Sequence, residues 1–147
     1  MGNAEFFGTH ERALDQKGRL ILPAKLRGDF GESALLVSLL DDGCLGLYDP
    51  VDLEHTKTEM LEFLHSESEA DRMYARRWAR SIHEVTFDAQ GRIQIPAEQR
   101  TFAGLDTEVL VHGSIERVEF WNPPLYREKE ELANARIGKG SATSSHQ

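Results

Sequence analysis

Two short stretches, Asp15-Gln16-Lys17-Gly18-Arg19 and Asp88-Ala89-Gln90-Gly91-Arg92, hold the residue types best suited to engage a charged partner. Asp at the first and Gly at the fourth position suits a type I turn, in which the carboxylate accepts from nearby backbone amides and the Gly takes a positive φ. The Arg that follows sits immediately after a tight hairpin turn. Its planar fork of donors fits a guanine edge or a phosphate, whereas Lys17 would act as a point charge on phosphate. Asp15, Gly18, Asp88 and Gly91 are therefore read as turn-shaping residues, and Lys17, Arg19 and Arg92 as candidate DNA contacts. For one isolated motif of this kind, an Arg that merely pairs with its Asp and braces the turn is an equal alternative. Repetition and local charge decide for DNA contact.

The repetition is extensive. A constant shift of 73 residues carries His10 and Glu11 onto His83 and Glu84, Pro23 and Ala24 onto Pro96 and Ala97, Arg27 onto Arg100, Gly31 onto Gly104 and Pro50 onto Pro123, with no gap. Similar pairs fill the spaces between: Leu20 with Ile93, Leu22 with Ile95, Tyr48 with Trp121. Residues 8–50 and 81–123 are thus two copies of one unit, separated by a helical insert over 51–80 and followed by a helix over 124–137 and a tail over 138–147 with a disorder-prone composition. A unit this short makes a poor core alone, and two copies packed together solve that.

Each copy reads as strand, turn, strand, short helix, strand, strand. Alternation in Arg19-Leu20-Ile21-Leu22 and Arg92-Ile93-Gln94-Ile95 turns the Leu and Ile pairs at the even steps inward and the Arg outward. Pro23 and Pro96 end these strands and suit a first helical turn. Arg27 and Arg100 follow that turn; both are candidates for phosphate contact, with a structural ion pair the weightier expectation. Asp49 and Asn122, each before Pro, read as helix caps, and Ser66 with Glu69 as a capping box opening the second helix of the insert.

The 147 residues carry a formal charge of −8, which argues against indiscriminate nucleic-acid binding but not against a local basic site. Residues 52–71 hold Asp52, Glu54, Glu59, Glu62, Glu67, Glu69 and Asp71 against Lys57, while residues 10–30 hold Arg12, Lys17, Arg19, Lys25 and Arg27 against Glu11, Asp15 and Asp29. Arg72, Arg76, Arg77 and Arg80 around Trp78 could suggest a second basic surface, but the Glu-rich helix before them is expected to neutralise it. Cys44, the single cysteine, reads as a small buried apolar residue and fits a reducing compartment. No membrane span and no export leader are expected. His55, Glu59, Glu62 and His65 offer half of a carboxylate–histidine metal pattern and no more, so neither metal nor other cofactor is assigned. No catalytic or small-molecule substrate fingerprint is present, and an enzyme is not expected.

Taken together, the two DxxGR motifs, each with Pro after three further residues, the helical insert, Ala103-Gly104-Leu105 and Phe120-Trp121 resemble the MraZ family of bacterial transcriptional regulators, built from tandem SpoVT/AbrB-type units. The resemblance runs from Phe6 to about Ile137. It implies an α+β, mainly β fold: two pseudo-repeated units forming a swapped-hairpin β-barrel, with a helix hairpin between them and a C-terminal helix. It also implies a ring-shaped homo-oligomer in the cytoplasm and nucleoid, binding short direct repeats of double-stranded DNA in the promoter of a cell-division and cell-wall gene cluster. The family's DNA-facing turns carry over to Asp15, Lys17, Gly18 and Arg19, and to Asp88, Gly91 and Arg92. Phe6-Phe7-Gly8 stands where the family commonly has Phe-Arg-Gly. Lys17 and Lys25 correspond to Gln90 and Glu98, which leads to the expectation of a stronger DNA contact in the first copy. An antitoxin-like or other protein-binding module is the alternative, because related AbrB-type folds serve that way.

Overall fold

The computed structural model describes residues 6–28 and 30–144. The first copy provides β1 (Thr9–Ala13), β2 (Arg19–Ile21), α1 (Ala24–Arg27), β3 (Ser33–Leu39) and β4 (Cys44–Tyr48). The second provides β5 (His83–Thr86), β6 (Arg92–Gln94), α4 (Ala97–Ala103), β7 (Glu108–Gly113) and β8 (Val118–Trp121). Between them lie α2 (Glu54–Leu64) and α3 (Glu69–Arg80), and α5 (Pro123–Ser144) ends the chain. The fold is α+β, with a six-stranded antiparallel sheet at its centre.

The copies exchange strands. β1 does not pair with the β2 that follows its turn; it pairs with β7 of the second copy, placing His10 opposite Val111 and Arg12 opposite Val109. Reciprocally, β5 pairs with β3 of the first copy. The sheet runs β1-β7-β8-β4-β3-β5, and β2 and β6 pair in a separate two-stranded ribbon. The expected hairpin turns are therefore crossovers from sheet to ribbon. An isolated two-stranded hairpin is marginally stable at best, and here β2 and β6 instead pair with each other over three residues above the shared core. The ladders among the described residues leave β1 and β5 at the two ends of the sheet, with the ribbon separate.

The ribbon explains where the motif strands put their apolar residues. Leu20, Leu22, Ile93 and Ile95 are each at most 1% exposed and join the main core with Leu26, Phe30, Leu36, Leu47, Val111 and Phe120. Full burial of side chains this size stabilises by roughly 1.5–3 kcal/mol each, so the core anchors the ribbon from beneath. Ile21, on the opposite face, is 49% exposed.

Three helix boundaries differ from the sequence expectations. The cap of α3 is Ser68, whose hydroxyl accepts from the Asp71 amide at 3.2 Å, while Ser66 donates to the Asp71 carboxylate at 2.9 Å. Ser-Glu-Ser-Glu offers two capping registers, and the one two residues later also satisfies Ser66. Asp49 accepts from the Val51 amide at 2.9 Å in a turn, and α2 begins only at Glu54. α5 continues through Gly138 to Ser144, since isolated glycines weaken a helix without breaking it; residues 145–147 of the expected tail lie outside the described residues. Asn122 caps α5 as expected, accepting from the Leu125 amide at 2.9 Å. The helix hairpin sits on the sheet through Leu53 and Trp78 against Val37 and Tyr48. Arg72 donates to the carbonyls of Ser66 and Glu67, and among the described residues none of the four arginines of α3 pairs with a carboxylate of α2.

Candidate nucleic-acid interface

Both motif turns close in the same way. Asp15 Oδ1 accepts from the amides of Lys17 at 2.9 Å and Arg19 at 2.8 Å, and its Oδ2 accepts from Arg19 Nε at 2.8 Å. Asp88 repeats this with Gln90 and Arg92 amides, both at 2.9 Å, and Arg92 Nε at 2.7 Å. Gly18 and Gly91 donate back to the carbonyls of Asp15 and Asp88 and take φ of +80° and +79°. The backbone amide of Arg19, with its guanidinium adding to the effect, holds the Asp15 carboxyl below the ordinary carboxylate range, and Arg92 does the same for Asp88. The Asp thus braces the Arg through its backbone amide and Nε. The guanidinium side chains remain 30% and 28% exposed while so braced, so bracing and ligand contact are compatible rather than rival uses.

The ribbon brings the two turns together. Arg19 pairs across the ladder with Gln94, and Ile21 with Arg92. Residues directly opposite share a face, so Arg19, Ile21, Arg92 and Gln94 form one outward patch, and the two Arg are diagonal neighbours whose Cβ atoms stand about 7–8 Å apart in such a ladder. Their side chains are 30% and 28% exposed.

Arg27 and Arg100 are placed differently from the ion pairs expected of them. Neither has a carboxylate partner among the described residues. Each reaches over to the turn of the other copy: Arg100 lies against Gly18 and Arg27 against Gly91, covering those glycines so closely that a β-carbon there would collide with the guanidinium. Arg100 Nε donates to the Ile95 carbonyl at 3.0 Å, which fixes its approach. Each turn is consequently a composite of both copies, with Arg100 of the second copy against Gly18 in the first turn and Arg27 of the first copy against Gly91 in the second. Lys25 is exposed on α1.

Two further residues belong to this surface although the DxxGR motif does not single them out. Gln94 Nε2 donates to the Lys17 carbonyl at 3.0 Å, tying the second copy's strand to the first copy's turn. Gln90 Oε1 accepts from Arg92 Nη2 at 3.4 Å. The sequence signal for both was their mismatch under the constant shift, Gln94 against Ile21 and Gln90 against Lys17. The opening Phe6-Phe7-Gly8 lies elsewhere: Phe6 pairs with Ile115 and is buried, Phe7 is exposed.

Among the described residues, no three His, Cys, Asp or Glu side chains gather as a metal would require, and no helix is long and apolar enough to cross a membrane.

The sequence matches the family described as "MraZ protein, putative antitoxin-like" over residues 6–77 and 79–142. It is 36% identical over 141 residues to the transcriptional regulator MraZ of Nocardioides sp., covering 96% of both chains. It is 38% identical over 136 residues to that of Saccharopolyspora erythraea, covering 89% of this chain and 94% of the relative, and 38% identical over 136 residues to that of Mycolicibacterium vanbaalenii, covering 92% and 94%. Matches this long take in both braced Arg turns, the ribbon that joins them and the helices between, and they establish that the chain belongs to the MraZ family.

Proposed function

We propose that this protein is a transcriptional regulator, not an enzyme, that binds double-stranded DNA through the outward face of the β2–β6 ribbon. The observation that carries this reading is the meeting of Arg19 and Arg92 on one outward face, each held at Nε by its own Asp. A two-stranded ribbon is narrow enough to enter the major groove, where guanidinium groups reach guanine edges or flanking phosphates. Lys17, Arg27 and Arg100 surround the pair and add positive charge to a chain that is acidic elsewhere. The relatives' designation as transcriptional regulators supports the same role.

The protein acts as a ring-shaped homo-oligomer on short direct repeats in the promoter of its own cell-division and cell-wall cluster, in the cytoplasm and on the nucleoid. One ribbon per protomer gives a modest contact, and several protomers on successive repeats multiply it when repeat spacing matches the ring. An unpartnered apolar groove of about 510 Å³ between the helix hairpin and the sheet, rimmed by Leu61 and Leu64, supports association between copies.

Fluorescence anisotropy with the DNA upstream of the gene tests this. Affinity should fall steeply as salt rises, because phosphate contacts release counterions, and should drop at least tenfold in the Arg19→Ala, Arg92→Ala double variant. Unchanged affinity in that variant would overturn the site. Stoichiometric capture of one protein partner, without any DNA binding, would favour the antitoxin-like alternative instead.

A further inference from the structure

The two turns share a backbone but not a chemistry, and the difference is confined to a few side chains. Resting on the DNA reading above, we propose that they divide the work of recognition: the Gln90–Arg92 pair reads a base edge, while Lys17, Arg19 and Arg100 grip phosphate, making Gln90 a specificity-determining residue.

Arg92 uses Nε on Asp88 and offers Nη2 to Gln90 Oε1 at 3.4 Å. A guanidinium has no acceptor, so this long contact favours one orientation of the Gln90 amide, with its oxygen toward Arg92 and its NH2 available to a ligand. The pair therefore shows a row of donors whose relative positions are set by one carboxylate and one amide. A donor-only array suits the two acceptors, O6 and N7, that guanine exposes in the major groove, and mismatches adenine, whose N6 is itself a donor.

The first turn cannot build such an array. Lys17 stands where Gln90 does, and an ammonium has no oxygen with which to hold Arg19. The Lys17 side chain is exposed with no hydrogen bond or ion pair among the described residues, so it keeps its conformational freedom. Arg100 lies against the same turn through Gly18. Arg19 braced on Asp15, Arg100 against Gly18 and an exposed Lys17 put three cations at one turn, an arrangement that attracts the diffuse charge of a phosphate backbone and tolerates sequence. Gln94, holding the Lys17 carbonyl at 3.0 Å, fixes that turn's height on the ribbon; its counterpart Ile21 makes no such bond to the second turn.

Selection from a randomised duplex pool, followed by salt titration on the enriched duplex, separates the two roles. Lys17 and Gln90 are both exposed, and circular dichroism verifies that their variants are folded. Gln90→Ala should flatten the preference at one base position, lowering discrimination there on the order of tenfold, with the salt slope unchanged. Lys17→Ala should keep the selected sequence and reduce the slope of log K against log salt by about 0.9, the loss of one phosphate contact. A Lys17→Ala variant with an altered sequence preference, or a Gln90→Ala variant with an intact one, overturns the division while DNA binding stands. A native protein that enriches no sequence and shows no salt-dependent binding overturns the DNA reading itself and this inference with it.

Discussion

Arg100 of the second copy lies directly over Gly18 of the first, so that a β-carbon on Gly18 would stand 2.8 Å from Arg100 Cζ. Arg27 covers Gly91 in the reciprocal way. The glycines are required for a positive φ that other residues adopt under strain, and a β-carbon there would also push the covering guanidinium aside. Gly18→Ala and Gly91→Ala should each lower stability by about 1–3 kcal/mol. Gly28→Ala provides the contrast, because Gly28 has φ of −54° and open space where its β-carbon would go. Chemical denaturation of the three variants should show two clear losses and one change near zero.

Asp15 and Asp88 are held below the ordinary carboxylate range by donors they gain only when folded. The sign follows from linkage: a depressed folded pKa adds stability that is fully present above the unfolded value and disappears as pH falls through the folded value. Both turns should keep their shape from neutral pH down through the usual carboxylate range and loosen only in stronger acid. Carboxyl carbon shifts followed by NMR should give both Asp midpoints below the ordinary value for an aspartate. Midpoints at or above the ordinary value would contradict the bracing geometry.

A charged network lies under the sheet. Glu119, 7% exposed in its side chain, accepts from Arg117 and from Trp121 Nε1, each at 2.8 Å, and Arg117 also donates to the Tyr48 hydroxyl at 2.8 Å. Arg117→Met strands a buried carboxylate and should cost about 3–5 kcal/mol. Removing both charges in Arg117→Met, Glu119→Leu should cost clearly less than the two single changes added together, read from unfolding curves of all four proteins.

Cys44 sits at 0% exposure beside Leu110 and Trp121, and burial pushes its thiol pKa well above the ordinary range. The thiolate needed for reaction is scarcely formed in the native protein. An aromatic disulfide reagent should leave the folded chain unmodified over hours and react with one equivalent once denaturant is added. Rapid labelling of the native protein would show that this part of the sheet opens readily.

The local grammar of the chain was largely legible. Turn residues, alternation in the ribbon, the buried Leu20, Leu22, Ile93 and Ile95, and the Asn122 cap all follow from side-chain chemistry within a few residues. Interleaving of the copies was implied by the family resemblance and not by the residues themselves, because β1 meets the second copy's β7 only through tertiary packing, and either copy's strand would satisfy the same alternation. The roles of Arg27 and Arg100 were hidden for the same reason: in a repeated sequence, an Arg reaching its own turn and an Arg reaching the other copy's turn are written identically. Where two registers were chemically near equivalent, as with Ser66 and Ser68, the structure takes the one that gives both hydroxyls a partner on Asp71.

The exchange of strands also bears on how the protein is made. During synthesis β1 and β3 emerge long before β7 and β5, so a half-finished chain carries strands whose partners do not yet exist. Such a nascent chain has exposed edges open to pairing with a neighbouring one on the same message. Once complete, the two halves are interlocked, and a single cut in the loop between α2 and α3 should leave both fragments bound together as one particle.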